Sequence, residues 1–202
     1  MKIVTHKTKE DWLWWRNLAI GSSDAAAVMQ ECPFTTIEEL WAKKIGLLQP
    51  ELPTFPMRRG LLLEPLAREE YKAIKGFPMP KAFIESETHK YAFASLDGMN
   101  RKERGALEVK APGKEDHGLA LSGKIPEHYK WQLVHILMAA DGELDWVDYY
   151  SHHPVTKADP IRFYRDLKME AELAAAEKNF WEKNVLQCIE PSKKIIPLRS
   201  VK

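Results

Sequence analysis

The sequence contains little cysteine, since Cys32 and Cys188 are the only two among its 202 residues. They lie far apart and form neither a CxxC pair nor a cluster with histidine. A structural zinc site or an iron–sulfur cluster is therefore not expected, and such low cysteine usage fits a reducing compartment. The chain also lacks any apolar run approaching the roughly 20 residues that a transmembrane helix needs. Residues 1–7 lack the apolar core of a signal peptide, so we expect a cytoplasmic protein that does not associate with a membrane.

A strong excess of charge of either sign is also missing. The chain has 30 Lys and Arg residues against 29 Asp and Glu residues, a formal net charge of +1 and a pI of about 7.8. Total charge therefore does not indicate nucleic-acid binding. Basic residues do cluster locally, as at Lys43–Lys44 and Arg58–Arg59. A solvated surface is the simpler explanation of each such cluster taken alone.

Internal repeats and low-complexity linkers are absent, so the composition fits one domain, residues 1–202, with a substantial core. Apolar periodicity predicts helices over residues 9–19, 25–30, 36–44, 57–75, 127–140 and 166–188. Short apolar runs predict strands over residues 82–87, 91–97, 106–111, 145–152 and 161–164. Residues 112–126, with two prolines and three glycines, predict a loop. This order of helices and strands is typical of a mixed α/β or α+β domain.

Three ionisable residues stand on two short, otherwise apolar predicted strands: Asp97, Glu108 and Lys110. Ionisable groups are rarely left in buried strands unless something pairs with them. Two carboxylates, with the carbonyl of Val109 as a third oxygen donor, suit Mg²⁺, which would activate a water for attack on a phosphate. Lys110 shares a strand face with Glu108 and would orient the water or stabilise the phosphate. The simpler alternative is an aspartate at a turn and a surface Glu–Lys pair.

Three further features favour the metal and phosphate interpretation. Glu64 lies in an apolar predicted helix, where an unpaired carboxylate is costly, and Gln132 lies on the helix that follows the strands. Arg16 precedes Ser23 by seven residues, and arginine, hydroxyl and helix N–H groups together suit a phosphate. Each feature has a plainer alternative: Glu64 is exposed beside Arg68, Gln132 is a surface residue, and the serine is a helix cap.

Five segments in this order resemble the lambda-exonuclease-like, or YqaJ-type, viral recombinase nucleases of the PD-(D/E)XK superfamily. The matching segments are residues 15–25, 59–65, 95–98, 107–110 and 129–132. Together they lie within residues 12 to about 150. Leu96 stands where the superfamily name has proline, a position that varies among its members.

The resemblance implies a restriction-endonuclease-like α/β (α+β) fold with a central mixed sheet flanked by helices. It also implies a Mg²⁺-dependent 5′→3′ exonuclease, with Mn²⁺ as a possible substitute, that acts by two-metal phosphodiester hydrolysis. Such an enzyme digests the 5′-ended strand of duplex DNA processively and leaves a 3′ single-stranded tail for annealing-type recombination.

The resemblance also assigns residue roles, motif by motif. The catalytic residues it implies are Asp97, Glu108, Lys110, Gln132 and Glu64. The metal ligands it implies are Asp97, Glu108, Val109 and Glu64. The residues it implies for the 5′-phosphate of the DNA end are Arg16, Ser22, Ser23 and Ser95.

The implied partners are duplex DNA with a 5′-phosphorylated end, two further copies of the chain in a homotrimeric ring, and a single-strand annealing protein. The setting would be the cytoplasm of a bacterial host, for a phage or prophage protein. Two features have no assigned role. The helix over 166–188 packs on the domain or binds another protein. A group of tryptophans stacks on or wedges unpaired bases or, more simply, belongs to the core or to a subunit interface. The tryptophans are Trp12, Trp14, Trp15 and Trp41.

Two other functions compete with the exonuclease. An endonuclease of the same superfamily would share Asp97 and the Glu108–Lys110 pair. A restriction-type enzyme lacks the Arg16-to-Ser23 segment, and a Cas4-like enzyme needs a four-cysteine cluster that two distant cysteines cannot supply. A catalytically inactive DNA-binding subunit on the same fold would have lost at least one of four side chains, all of which are present: Glu64, Asp97, Glu108 and Lys110.

Overall fold

The computed structural model describes residues 1–6, 8–48 and 52–191. Its strands form two four-stranded sheets. The strands of the first sheet are β1 (Lys2–Val4), β2 (Ile20–Gly21), β3 (Ala82–Glu85) and β4 (Ala92–Leu96). Their spatial order is β1-β3-β4-β2, with β2 parallel to β4 and the other pairs antiparallel. The strand β4 is thus flanked on both edges and ends directly before Asp97.

The second sheet continues from the first at Asp97. Its strands are β5 (Gly98–Asn100), β6 (Gly105–Lys110), β7 (Trp146–Ser151) and β8 (Ile161–Tyr164), in the spatial order β5-β6-β7-β8. The parallel pair β6 and β7 is buried along nearly its whole length, as expected for parallel strands covered on both faces. Glu108 and Lys110 are therefore carried by one of the most enclosed strands of the protein.

Seven α-helices surround the sheets in the described part of the chain. They are α1 (Lys9–Asn17), α2 (Ala25–Val28), α3 (Ile37–Lys44), α4 (Phe55–Lys75), α5 (Lys114–Leu121), α6 (Glu127–Ala139) and α7 (Leu167–Asn179). A 3₁₀ turn, Ser22–Asp24, precedes α2, and a π-helical segment, Phe180–Val185, follows α7. None of the described helices is both long enough and apolar enough to cross a bilayer.

The central element of the core is α6, whose residues 131–139 are all buried. It packs against α2, α7, β4 and β7. A second apolar cluster lies under α4 and contains Ala67, Tyr71, Leu107, Trp146 and Tyr150. Both clusters border β6, so the strand with the acidic and basic residues has apolar packing on either side.

The structure confirms the mixed α+β class and corrects several details. Residues 112–126 are not a loop throughout, because they contain α5. The helix predicted over 166–188 leaves α-helical geometry after Asn179, and the one predicted over 25–30 ends at Val28. One central sheet was expected, but the strands form two. The short strands β1, β2 and β5 were missed, since runs of two or three residues carry no periodicity.

Candidate active site

The chain between β4 and β5 places Asp97 beside β6. The backbone N–H of Val109 donates to Asp97 Oδ2 at 2.8 Å. This bond holds the carboxyl group of Asp97 close to Glu108, the residue before Val109 on β6. Glu108 is 4% exposed. The two acidic residues that the sequence singled out are therefore brought together by a backbone contact between adjacent strands.

Glu108 is held by two different donors. Lys110 Nζ lies 2.6 Å from Glu108 Oε1, and Gln132 Nε2 donates to the same oxygen at 2.7 Å. The shared strand face predicted for Glu108 and Lys110 is thus present. Gln132 reaches the site from α6, and Tyr129, one turn earlier on that helix, places its ring centroid 5.1 Å from Lys110 Nζ.

The electrostatics of the site reflect a surplus of carboxylates in a poorly solvated space. Burial, together with the negative charges of Glu108 and Glu64, raises the pKa of Asp97 to about 8. Burial lowers the pKa of Lys110, but the charge of Glu108 and the hydrogen bond to it outweigh that effect, so the net shift is upward. A bound cation would relieve the repulsion among these carboxylates.

Glu64 joins the site from α4. Its Oε1 atom lies 2.5 Å from Lys81 Nζ, and its side chain is 15% exposed. This oxygen is buried and makes no contact that satisfies hydrogen-bond geometry. The plainer alternative, an exposed Glu64 beside Arg68, is therefore not what the structure has.

Other contacts fix α4, and with it Glu64, against the second sheet. Tyr71 donates to Asp148 Oδ2 on β7 at 2.7 Å, and Lys75 Nζ lies 3.1 Å from the same oxygen. Nearer the start of the helix, the guanidinium of Arg59 donates to the carbonyl of Ala111 at 3.1 Å. The helix is thus bonded to the strand end that carries Lys110.

The donor chemistry of these residues fits a divalent cation such as Mg²⁺. Asp97, Glu108 and Glu64 offer hard carboxylate oxygens, one of them buried without a well-formed hydrogen bond. Within the described residues, no three His, Cys, Asp or Glu side chains are already gathered around one point as a metal site would require. Lys110 and Lys81 instead hold two of the carboxylates, so a metal would compete with these ammonium groups.

A second polar group lies at the first sheet. Arg16, near the end of α1, donates from Nη2 to Ser23 Oγ at 3.3 Å, and its guanidinium lies 4.8 Å from the ring centroid of Trp12. In the parallel pair β2–β4, Gly21 lies opposite Phe93. Ser95 is two residues after Phe93 on β4. Ser95 in turn is two residues before Asp97. The strand β4 thus connects the Arg16–Ser23 pair to the acidic site. Ser22, the fourth residue predicted to bind phosphate, is 5% exposed.

Two of the four tryptophans, Trp15 and Trp41, belong to the packing of the fold. Trp15 is buried with its ring centroid 4.0 Å from that of Phe93. The indole N–H of Trp41 donates to the carbonyl of Asn184 at 3.2 Å. The side chain of Trp14 lies outside the described part of the structure.

Two residues near the site were not predicted from the sequence to belong to it: Tyr129 and Lys81. Tyr129 carried a signal, since it stands three residues before Gln132 and therefore shares its helix face. Lys81 carried none, because its contact with Glu64 joins a strand end to a helix seventeen residues earlier in the chain.

Comparison with solved structures shows the same fold in proteins described as exonucleases. An alkaline exonuclease from Laribacter hongkongensis superposes with a TM-score of 0.76 at 23% identity, over 90% of this chain and 95% of that one. A structure of it in complex with dAMP gives a TM-score of 0.73 at 25% identity. A phage related exonuclease from Haemophilus somnus 129PT gives 0.60 at 12% identity, over 85% of this chain and 96% of that one.

Sequence comparison identifies the family. The uncharacterized protein YqaJ of Bacillus subtilis (strain 168) is 28% identical over 137 residues, which cover 64% of this chain. The matched region covers 42% of that relative, so the chain spans less than half of its length. Residues 11–143 match the YqaJ-like viral recombinase domain. The chain therefore belongs to the family of YqaJ-like viral recombinase domains.

Proposed function

We propose that this protein is a Mg²⁺-dependent exonuclease that digests the 5′-ended strand of duplex DNA and leaves a 3′ single-stranded tail. The observation that carries the proposal is the placement of two groups along β4. At its end stand Asp97 and its neighbours Glu108 and Lys110, and beside it stands the Arg16–Ser23 pair. Family membership and the fold shared with proteins described as exonucleases support the same activity.

In this proposal, the carboxylates of Asp97, Glu108 and Glu64, with the carbonyl of Val109, hold Mg²⁺. When bound, the ion polarises a phosphoryl oxygen and lowers the pKa of a coordinated water. Mn²⁺ would serve in its place, since it takes the same oxygen ligands. Gln132 orients Glu108 through its amide N–H.

Burial lowers the pKa of Lys110, but pairing with Glu108 raises it on balance, so in the protein without metal the side chain is an ammonium group at neutral pH. An ammonium group cannot accept a proton from the attacking water. Lys110 would therefore act by stabilising the negative charge that develops on the phosphate during attack.

Arg16, Ser23 and Ser95 are proposed to hold the 5′-phosphate of the strand being digested. An arginine donates two parallel hydrogen bonds to phosphate oxygens, and a serine hydroxyl adds a third donor. Ser23 is exposed, as contact with a DNA end requires. A phosphate held beside Ser95 lies next to the residues that would hydrolyse the adjoining phosphodiester.

The proposed assembly is a ring of three subunits around the duplex, working with a single-strand annealing protein. Its support in this chain is a set of exposed apolar side chains on residues 47–48 and 52–66, which we call the 47–66 surface. Its large apolar side chains, all at least 44% exposed, are Leu47, Leu48, Leu52, Phe55, Met57, Leu61, Leu62 and Leu66. Exposed apolar surface of this extent commonly marks contact with another chain, so subunit contact is a natural use of these side chains.

The test compares DNA forms and site variants. We expect digestion of linear duplex with 5′-phosphoryl ends, slower digestion with 5′-hydroxyl ends, and none of closed circular duplex. Asp97→Ala and Lys110→Ala should abolish Mg²⁺-dependent digestion and retain DNA binding, whereas Asp159→Ala and Lys168→Ala, at exposed positions away from the site, should not. Cleavage of closed circles would instead indicate an endonuclease. Binding without any digestion by the parent protein would indicate an inactive DNA-binding subunit.

A further inference from the structure

We propose that Lys44 is the positioning residue of the Arg16–Ser23 pair and thereby sets the preference of the enzyme for a 5′-phosphoryl end. This inference rests on the proposed function and adds to it a residue outside the family motifs. Lys44 is the last residue of α3 and touches neither the acidic site nor the guanidinium of Arg16 in any contact seen among the described residues.

The side chain of Lys44 joins the two segments that carry Arg16 and Ser23. Its Nζ donates to the backbone carbonyl of Arg16 at 3.0 Å and to that of Ala19 at 2.6 Å. It also lies 2.8 Å from Asp24 Oδ2. An ammonium group has three N–H donors, so these three partners use all of them.

Each of these three partners lies in one of the two segments that position the Arg16–Ser23 pair. The carbonyl of Arg16 is among the last four of α1, which have no partner inside the helix. Ala19 follows the end of α1, and Asp24 closes the 3₁₀ turn that contains Ser23. Asp24 Oδ2 also accepts the backbone N–H of Gly21 at 3.0 Å. Lys44 therefore bonds the end of α1 to the turn that follows β2.

The direct hydrogen bond between Arg16 and Ser23 is too weak to hold the end of α1 against the turn by itself. The hydrogen bond is 3.3 Å long and exposed, whereas Lys44 is 7% exposed and its bonds are shorter. Burial of Asp24 raises its pKa, but the charge of Lys44 and its hydrogen bond outweigh that, so the pKa of Asp24 is lowered. Asp24 is thus a carboxylate at neutral pH, and loss of Lys44 would leave this buried carboxylate without its partner.

The position of Lys44 is itself well defined by the sequence of α3. Thr36 and Glu39 form a reciprocal capping box at the start of the helix, with bonds of 3.2 and 3.0 Å. Ile37 and Leu40 are buried against the core. The helix is therefore held at its start and along one face, and its last residue reaches the α1 end from a rigid element.

The experiment measures kcat and KM on matched duplexes that carry a 5′-phosphoryl or a 5′-hydroxyl end. For Lys44→Met we expect KM on the phosphorylated duplex to rise about tenfold, kcat to stay within about twofold, and the preference for phosphate to fall toward one. Lys44→Arg, which keeps the charge and several donors, should restore part of the preference. An unchanged preference in Lys44→Met would overturn the proposal.

Two controls separate a positioning role from a loss of stability and from failure of the proposed function. Leu173→Ala, in the core of α7, should lower the melting temperature and retain the phosphate preference. If Lys44→Met does not fold, Asp24→Asn decides: it retains an acceptor for Gly21, loses the ion pair, and should lower the preference at least threefold. No change in Asp24→Asn would also count against Lys44. A parent protein that shows no preference for phosphate would instead contradict the proposed function.

Discussion

One carboxylate oxygen of Glu108 accepts hydrogen bonds from both the ammonium group of Lys110 and the side-chain amide of Gln132. These two donors have separate roles. Lys110 supplies charge, and Gln132 supplies direction from a rigid helix. A carboxylate has about four acceptor positions, so two donors leave capacity for a metal. The amide carries no charge, and its contribution is therefore to orientation alone.

The first prediction concerns removal of the Gln132 amide, which orients the carboxylate of Glu108. Gln132→Ala should lower kcat about 10- to 100-fold and raise the Mg²⁺ concentration needed for half-maximal rate, as loss of groups that orient metal ligands commonly does. Steady-state kinetics at several Mg²⁺ concentrations measures both effects. Gln187→Ala, an exposed glutamine near the end of the described chain, serves as the matched control. Equal kinetics in Gln132→Ala and the parent protein would exclude Gln132 from the site.

A second prediction at residue scale concerns pH. The folded protein without metal holds a proton on Asp97 up to about pH 8, while the unfolded chain loses it near pH 3.8. The folded state thus binds more protons between these values, and its stability should fall as pH rises from about 4 through 8. Asp97→Asn removes this loss and should stabilise the metal-free protein by up to about 5 kcal/mol at pH 9, with little effect at pH 4.

Chemical unfolding in the presence of a chelator at pH 4, 6 and 9 measures this dependence. Asp159→Asn, an exposed carboxyl, should leave the pH profile of the parent protein unchanged. If the free energy of unfolding of Asp97→Asn equals that of the parent protein at every pH, the carboxyl group of Asp97 titrates normally.

At the scale of elements, Asp148 shows how α4 is held over the second sheet. Its carboxylate accepts from Tyr71 and pairs with Lys75, both on α4, and it bonds Arg162 on β8 at 2.8 Å. Burial raises the pKa of Asp148, but the bonds from Arg162, Tyr71 and Lys75 outweigh it and lower the pKa. One buried carboxylate therefore connects a strand pair to the helix that carries Glu64.

The third prediction follows from that network. Asp148→Asn should lower the free energy of unfolding by about 2 kcal/mol at pH 7, because the partly exposed cations Lys75 and Arg162 lose the buried carboxylate that pairs with them. A lowered pKa stabilises the fold above the unfolded value of 3.8, and that contribution is lost as pH falls through the folded pKa. The difference between the variant and parent proteins should therefore shrink below pH 4.

Urea unfolding at pH 7 and at pH 3 provides the measurement. Asp145→Asn is the matched control, since Asp145 pairs with Arg104 at a site where both side chains are about half exposed and contribute little. A loss in Asp148→Asn no larger than in Asp145→Asn would mean that α4 is held by its apolar contacts alone.

The elements themselves were only partly predictable from the sequence. The helix α3 was predicted well because its cap, Thr36 with Glu39, is local. The helix α5 was missed because two prolines and three glycines in residues 112–126 favoured a loop, and a glycine within a helix, such as Gly118, costs up to about 1 kcal/mol. The helix forms nonetheless, with His117 and Ala120 buried. His117 bonds Ser151 and Thr156, so tertiary contacts outweigh the local preference.

At the scale of the whole molecule, the 47–66 surface gives the fourth prediction. Leu62 is 77% exposed and lies two residues before Glu64 on α4. If the 47–66 surface joins subunits of a ring, Leu62→Glu should yield a smaller species and shorten the tract digested per binding event. Sedimentation velocity measures the first effect, and digestion in the presence of excess competitor DNA measures the second. Val155→Glu, at 83% exposure on another surface, is the control. A monomeric parent protein would contradict the ring.

The sequence by itself determined which chemistry the chain can carry. Two acidic residues and a lysine on short apolar strands, a glutamine on the next helix, and an arginine before a serine were all readable in order along the chain. Such features depend on residue identity, on order along the chain, and on short spacings such as the two positions from Glu108 to Lys110. These are the distances over which strand alternation, helix periodicity and capping act.

Only the tertiary structure decided how these groups are supported. Lys81 pairs with Glu64 and Asp148 ties α4 to β7, although neither contact has a local signature. Lys44 reaches back 28 residues to the carbonyl of Arg16. A buried charge is stable only where its partners arrive from other elements, and their arrival depends on how helices and sheets pack. Composition and periodicity do not encode that packing position by position.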